Sequence, residues 1–100
     1  MSPSTLNFLH HILDEIQFLK NNSEKVTYEE FIRDEVLIRA FSRSLEVIGE
    51  AIKKVPADIK SKYPEIEWKS IAGMRDKLIH DYFGIDFDLV WDVVANKVRD

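Results

Sequence analysis

The sequence predicts an all-α fold, an antiparallel bundle of four to five helices, and three observations predict it. Apolar residues recur with a period near 3.6 rather than 2. Only 3 Gly and 3 Pro punctuate the 100 residues, so long helices can run uninterrupted. Strict apolar/polar alternation, the mark of a half-buried strand, is absent. A chain of this length makes one domain, expected to span residues 1–100.

The first helix is expected to open at Ser2-Pro3, because proline in the first turn loses no needed hydrogen bond. It should run to about Lys20 and end at Asn21-Asn22-Ser23. Leu6, Leu9, Leu13 and Ile16 make its main apolar stripe, widened by Phe8, Ile12 and Leu19. Thr27-x-x-Glu30 is a capping box, so a second helix should follow to about Lys54, with a break near Asp34 left open. Leu37, Phe41, Leu45, Ile48 and Ile52 form its stripe, and Val36, Ala40, Val47 and Ala51 extend the arc. An arc that wide suggests burial on two sides, and hence a homodimer.

Val55-Pro56 should stop this helix, since a residue before proline avoids helical geometry. The link to Glu67 carries Pro64 and reads as a loop. The third helix should start near Trp68, carry Ile71, Met74, Leu78 and Tyr82 along one side, and stop at Gly84. Asp86 can cap a fourth helix whose apolar face is Leu89, Val90, Val93, Val94 and Val98.

Composition excludes several classes. At 45% hydrophobic the chain is globular rather than disordered. With no cysteine it has neither disulfides nor thiolate metal sites. A net charge of −4 argues against a broad basic coat for nucleic acid, but leaves room for a small basic site. The first residues lack a basic start followed by an apolar run, and no apolar stretch is long enough for a bilayer. A cytoplasmic protein with no membrane partner is the expectation.

One segment concentrates chemistry: Arg75-Asp-Lys-Leu-Ile-His80-Asp-Tyr82. Arg75 offers a planar fork that binds two phosphate oxygens and never loses its charge. His80 titrates near working pH and suits proton transfer. Tyr82 can donate to a phosphate or stack on a base. Taken alone, an Arg–Asp–His cluster near a helix end is more often a cap and a surface ion pair.

The flanking residues tip that balance. Arg75-x4-His80-x-Tyr82 resembles the signature of HepT-like toxins, a branch of the HEPN superfamily of helical ribonucleases. Arg43-Ser-Leu45-Glu46-Val-Ile-Gly49-Glu50-Ala51 looks like that family's second-helix segment. Tyr63-Pro64-Glu-Ile66-x-Trp68 and Ile71-x-Gly73-Met74 look like its lead-in, and Ile85-Asp86 and Val90-Trp91 its continuation. The likeness covers the chain from Arg43 onward. It departs at Glu67, where many relatives carry proline, and at Asp76, where many carry asparagine. Asp76 adds a negative charge beside the motif.

The resemblance implies a HEPN-like homodimer whose two motifs share a cleft. It implies RNA cleavage without a metal or other cofactor, as a toxin paired with an MNT-type nucleotidyltransferase antitoxin. Such antitoxins transfer AMP to the motif tyrosine, here Tyr82. Catalysis would fall to Arg75 and His80. Asp76, Tyr82, Arg43, Glu46 and Glu50 would bind substrate or support the site. Two rivals stand beside this: a non-catalytic helical module that partners a nucleotidyltransferase, and a plain dimerisation domain.

Helical geometry constrains the motif. At roughly 100° per residue, Arg75 and Tyr82 lie within about 20° of each other, and His80 about 140° from Arg75. Either the helix loosens before Gly84 or the site is a wide cleft; a dimer cleft resolves this, because Arg75 of one chain can meet His80 of the other. Arg39, Arg43, Glu46 and Glu50 make a polar stripe on the second helix, ordinarily a solvated face. Here it can approach and orient the motif. His10 with Asp14, and His11 with Glu15, have chelating spacing but are half a site each, so no metal is expected. Trp68 and Trp91 read as core or subunit-contact aromatics.

Overall fold

The computed structural model describes residues 3–66, 68–78 and 87–98, all-α and without a strand among them. Six helices follow in order: α1 (Pro3–Ser23), α2 (Tyr28–Arg33), α3 (Glu35–Lys53), α4 (Ala57–Lys62), α5 (Trp68–Leu78) and α6 (Phe87–Asp92). The chain then winds on into π-helical geometry over Val93–Val98.

Local chemistry accounts for the first boundaries. The capping box forms: Glu30 N–H donates to Thr27 Oγ1 at 3.2 Å, and Thr27 N–H donates to Glu30 Oε1 at 3.1 Å. The break near Asp34 is real and divides the expected second helix into α2 and α3. Asp34 is extended (φ −109°, ψ 95°), closes α2, and caps α3 by accepting from Leu37 N–H at 3.1 Å.

Helix α3 is the spine, and α1, α2, α5 and α6 all pack on it. Phe8 lies under Lys54, Glu15 meets Ser44, and Phe18 meets Phe41. Partner numbers fall along α3 as they rise along α1, so the two helices are antiparallel. Phe18, Phe41, Phe31, Trp91 and Tyr28 form a chain of ring contacts with centroids 5.2–6.5 Å apart. That chain ties α1, α3, α2 and α6 together, with Phe31 and Phe41 fully buried.

The structure corrects several expectations. The all-α fold is as expected, but among the described residues six helices stand where four to five were expected, because Asp34 splits one and the link after Val55 contains another. That link is no loop: Pro56 starts α4, which buries Ile59 while Val55 is buried just before it. Helix α1 runs to Ser23, and its packed face keeps Ile12, Ile16 and Leu19 of the expected stripe but not all of it. Leu6 and Leu13 are exposed, while Thr5, Leu19 and Ser23 are buried.

On α3, Val36 is 75% exposed, whereas Ile38, Ser42, Ser44 and Gly49 join the buried set. Apart from Val36, the wide apolar arc is buried or half-buried within the chain, where α1, α2, α5 and α6 pack on α3. Its width therefore gives no reason to invoke a second subunit. Val90, Val93 and Val94 are buried as expected, although the π-helical turn interrupts the regular helix. The expected stop at Gly84 and cap at Asp86 lie outside the described residues.

Candidate active site

Two elements converge on the region where the motif begins. Helix α3 supplies a polar edge. At about 100° per residue, Arg39, Arg43, Glu46 and Glu50 fall within roughly 60° of helix circumference. That edge borders the buried, small residues Ser42 and Gly49, and α5 packs against α3. Small residues at a crossing let two helix backbones approach closely.

Within the edge, the residues divide. Arg43 Nη1 lies 3.3 Å from Glu46 Oε2, with the arginine side chain 66% exposed and the glutamate 22% exposed. Glu50, one turn on, is half-buried. Arg39 instead turns back to Glu35, at 2.7 Å, and both side chains are largely exposed. An exposed i,i+4 pair of that kind contributes little, about 0.3–0.5 kcal/mol. So Glu46 and Glu50 are half-buried beside the buried face of α3, Arg43 is exposed but paired to Glu46, and Arg39 belongs to the solvated surface.

Helix α5 supplies the motif's first residues. It begins at Trp68, as expected, and Trp68, Ile71 and Ala72 pack against the core. Arg75 occupies the next register position of that row, seven, four and three residues after them. Asp76 follows about 100° further round. The side chains of Arg75 and Asp76, and the whole of His80 and Tyr82, lie outside the described residues. The motif's ligand geometry is therefore described only up to the backbone of α5.

The other candidates resolve simply. His10 and His11 are both exposed, and among the described residues no three His, Asp or Glu are grouped to hold a metal. Glu15, paired with His11 in the chelating reading, instead accepts from Ser44 Oγ at 2.6 Å, joining α1 to α3. The half-buried Trp91 packs against the core, its ring 5.2 Å from Phe31 and tilted by 34°. Trp68 is half-buried, and its indole N–H donates to the Tyr63 carbonyl at 3.1 Å. Both tryptophans are packing groups, as expected.

One polar contact was not legible in the sequence. Tyr28 Oη donates to Asp88 Oδ1 at 2.5 Å, across sixty residues of chain. The carboxylate at the hydroxyl raises the phenol's pKa above its ordinary value, helped by desolvation. Nothing in a single sequence pairs two such distant residues.

Comparison with known proteins bears on the site as a whole. The family model described as "Ribonuclease HepT-like" matches residues 12–100. A protein of Caldanaerobacter subterraneus subsp. tengcongensis that carries the name putative RNase is 46% identical over 91% of this chain and 81% of its own. A Methanocaldococcus jannaschii protein with the same designation is 47% identical over 91% of this chain and 75% of its own. A Thermococcus cleftensis protein named probable ribonuclease HepT is 39% identical over 98% of this chain and 89% of its own. No solved structure matches the chain significantly.

Proposed function

Because this chain belongs to the HepT-like ribonuclease family, we propose that it is a metal-independent endoribonuclease toxin of a type II toxin–antitoxin pair. The observation that carries the reading is the conjunction of that family match with an intact Arg75-x4-His80-x-Tyr82 motif. The motif begins on the row of α5 that packs against the core.

Strand scission of this kind moves two protons and exchanges two bonds to phosphorus. The ribose 2′-oxygen bonds to phosphorus while its proton passes to the neutral imidazole of His80. The bond to the 5′-oxygen breaks, and that oxygen takes a proton from an imidazolium, leaving a cyclic phosphate. Arg75 holds two phosphoryl oxygens and balances the charge that builds on them. Tyr82 donates a hydrogen bond to the phosphate or stacks on a neighbouring base. Arg43, Glu46 and Glu50 border this region from α3 and orient the motif, with Asp76 beside Arg75.

The angular separation of Arg75 and His80 favours a homodimer with one shared cleft. Two copies would then provide one His80 as base and the other as acid. The partner in regulation is a nucleotidyltransferase antitoxin of the MNT type, which adenylylates Tyr82. The test is incubation with total RNA in excess chelator. Cleavage that persists, and disappears with His80→Ala, is expected; intact RNA under all conditions overturns the enzymatic reading.

The alternative, a non-catalytic module that partners a nucleotidyltransferase, draws on the net charge of −4 and on Asp76 beside the motif arginine. Both oppose a polyanionic substrate. Growth arrest on expression, lost with His80→Ala, decides against that alternative.

A further inference from the structure

We propose that the α4 end of the bundle, which carries Lys53, Lys54, Lys60 and Lys62 and the exposed Tyr63, is a platform for single-stranded RNA. It would hold the strand leading to the motif. The proposal rests on the ribonuclease reading for its choice of ligand, and on four observations for its position.

Charge is segregated along α3. Residues 24–35, at the α2 end, carry a net −3, whereas residues 53–69 carry a net +2 in a chain of net −4. The nineteen residues of α3 separate the two ends by roughly 28 Å. That exceeds a Debye length of about 8 Å at physiological salt, so the basic end acts on a ligand largely unopposed by the acidic one.

The lysines are available. Lys53, Lys54 and Lys62 are exposed and Lys60 is half-buried. Among the described residues none of the four is ion-paired to a carboxylate, in contrast to Arg39 and Arg43. Lys54 lies 5.6 Å from the Phe8 ring centroid, which orients it without neutralising it. Cations at helix C-termini complement the macrodipole. Dipole complementation accounts for one such group at each helix end; α3 and α4 together carry four.

Tyr63 is the aromatic member. Its backbone is held firmly: its N–H donates to Lys60 O at 3.2 Å, and its carbonyl accepts from Ile66 N–H and from the Trp68 indole, both at 3.1 Å. The residue is nevertheless 48% exposed. A fixed backbone presenting an exposed tyrosine, one and three residues after Lys62 and Lys60, suits the stacking of an unpaired base while cations follow the phosphates. The Trp68 bond also joins this platform to the first residue of α5. The Arg75 backbone lies roughly 10 Å further along that helix.

The test uses an oligouridylate about 12 nucleotides long, within the usual range of binding-site sizes. It carries 2′-O-methyl groups throughout, so the strand cannot be cut and binding is read apart from cleavage. Fluorescence anisotropy is measured across a salt series. The wild type should bind with a clear salt dependence. The triple variant Lys53→Gln, Lys60→Gln, Lys62→Gln should lose at least about tenfold in affinity. Its log–log salt slope should fall by about 2, the value for three lost phosphate contacts on a single strand.

Tyr63→Leu should weaken binding at least about fivefold with the slope unchanged. Lys20→Gln with Lys25→Gln, away from α4, should change nothing. Circular dichroism of each variant confirms that it is folded. Absence of salt-dependent binding by the wild type, or wild-type affinity and slope in the triple variant, overturns the platform. Cleavage of unmodified RNA by the triple variant with unchanged KM removes the platform and leaves the ribonuclease standing. Salt-dependent binding at these lysines by a protein that never cleaves does the reverse.

Discussion

Tyr28 and Asp88, from α2 and α6, are joined by a 2.5 Å hydrogen bond from the phenol to the carboxylate. The bond closes the end of the aromatic chain, where the Tyr28 ring also meets Trp91 at 6.2 Å. It predicts an alkaline limit. The folded-state pKa of Tyr28 is raised above the ordinary phenol value, first by this bond. The folded state therefore holds the phenolic proton more tightly than the unfolded state. The contribution is fully present below the unfolded pKa and is lost as pH rises through the folded one. Tyr28→Phe should lower Tm at neutral pH, and the difference from wild type should shrink above the ordinary phenol range. A difference that is constant into strong alkali would show that the bond is not its cause.

Phe41 predicts where stability is concentrated. It is fully buried, with Phe31 stacked at 5.5 Å and Phe18 edge-on at 6.5 Å. Phe41→Ala should cost about 3–5 kcal/mol, a large share of the roughly 5–15 kcal/mol available to a domain. Val36→Ala, at a position 75% exposed on the same helix, should stay within about 0.5 kcal/mol. Chemical denaturation of the pair measures both. Equal losses would mean that α3 does not carry the core.

Arg75→Ala and His80→Ala should each reduce RNA cleavage by at least about a hundredfold, the scale of losing a proton-transfer or charge-stabilising group. Far-ultraviolet circular dichroism should show the helices retained. A folded variant with wild-type cleavage removes that residue from the reaction.

Tyr82 should be the position of control. Adding AMP there would place a phosphate against Arg75 and a purine in the cleft. Intact mass after incubation with a nucleotidyltransferase partner, ATP and magnesium should rise by one or more AMP units in the wild type and not in Tyr82→Phe. Modification that persists in the phenylalanine variant would place the acceptor elsewhere.

A dimer is expected at micromolar concentration by sedimentation. Its basis is the angular separation of Arg75 and His80, since the arc of α3, Val36 apart, is already buried or half-buried within the chain. Sedimentation at the monomer mass would remove the shared cleft and require both groups to act within one copy.

Short-range chemistry was legible from the chain alone. The 3.6-residue period, the Thr27–Glu30 box, the start of α5 at Trp68 and the motif that identifies the family all depend on residues within a few positions of each other. Such signals survive without knowledge of what packs where. Asp34 was visible as a break for the same reason, because its side chain caps its own helix three residues on. Tertiary packing decided the rest. Leu6 and Leu13 are left exposed while Thr5 and Ser23 are buried, because the face of α1 that meets α3 depends on how the two helices are rotated against each other. Ser42, Ser44 and Gly49 are buried because α3 has neighbours on both flanks and close crossings favour small residues over apolar ones. Helix α4 forms between two prolines because Val55 and Ile59 find a core to enter, a gain that no local pattern announces. Tyr28 and Asp88 meet only because α2 and α6 are brought side by side, and sequence separation carries no record of that distance.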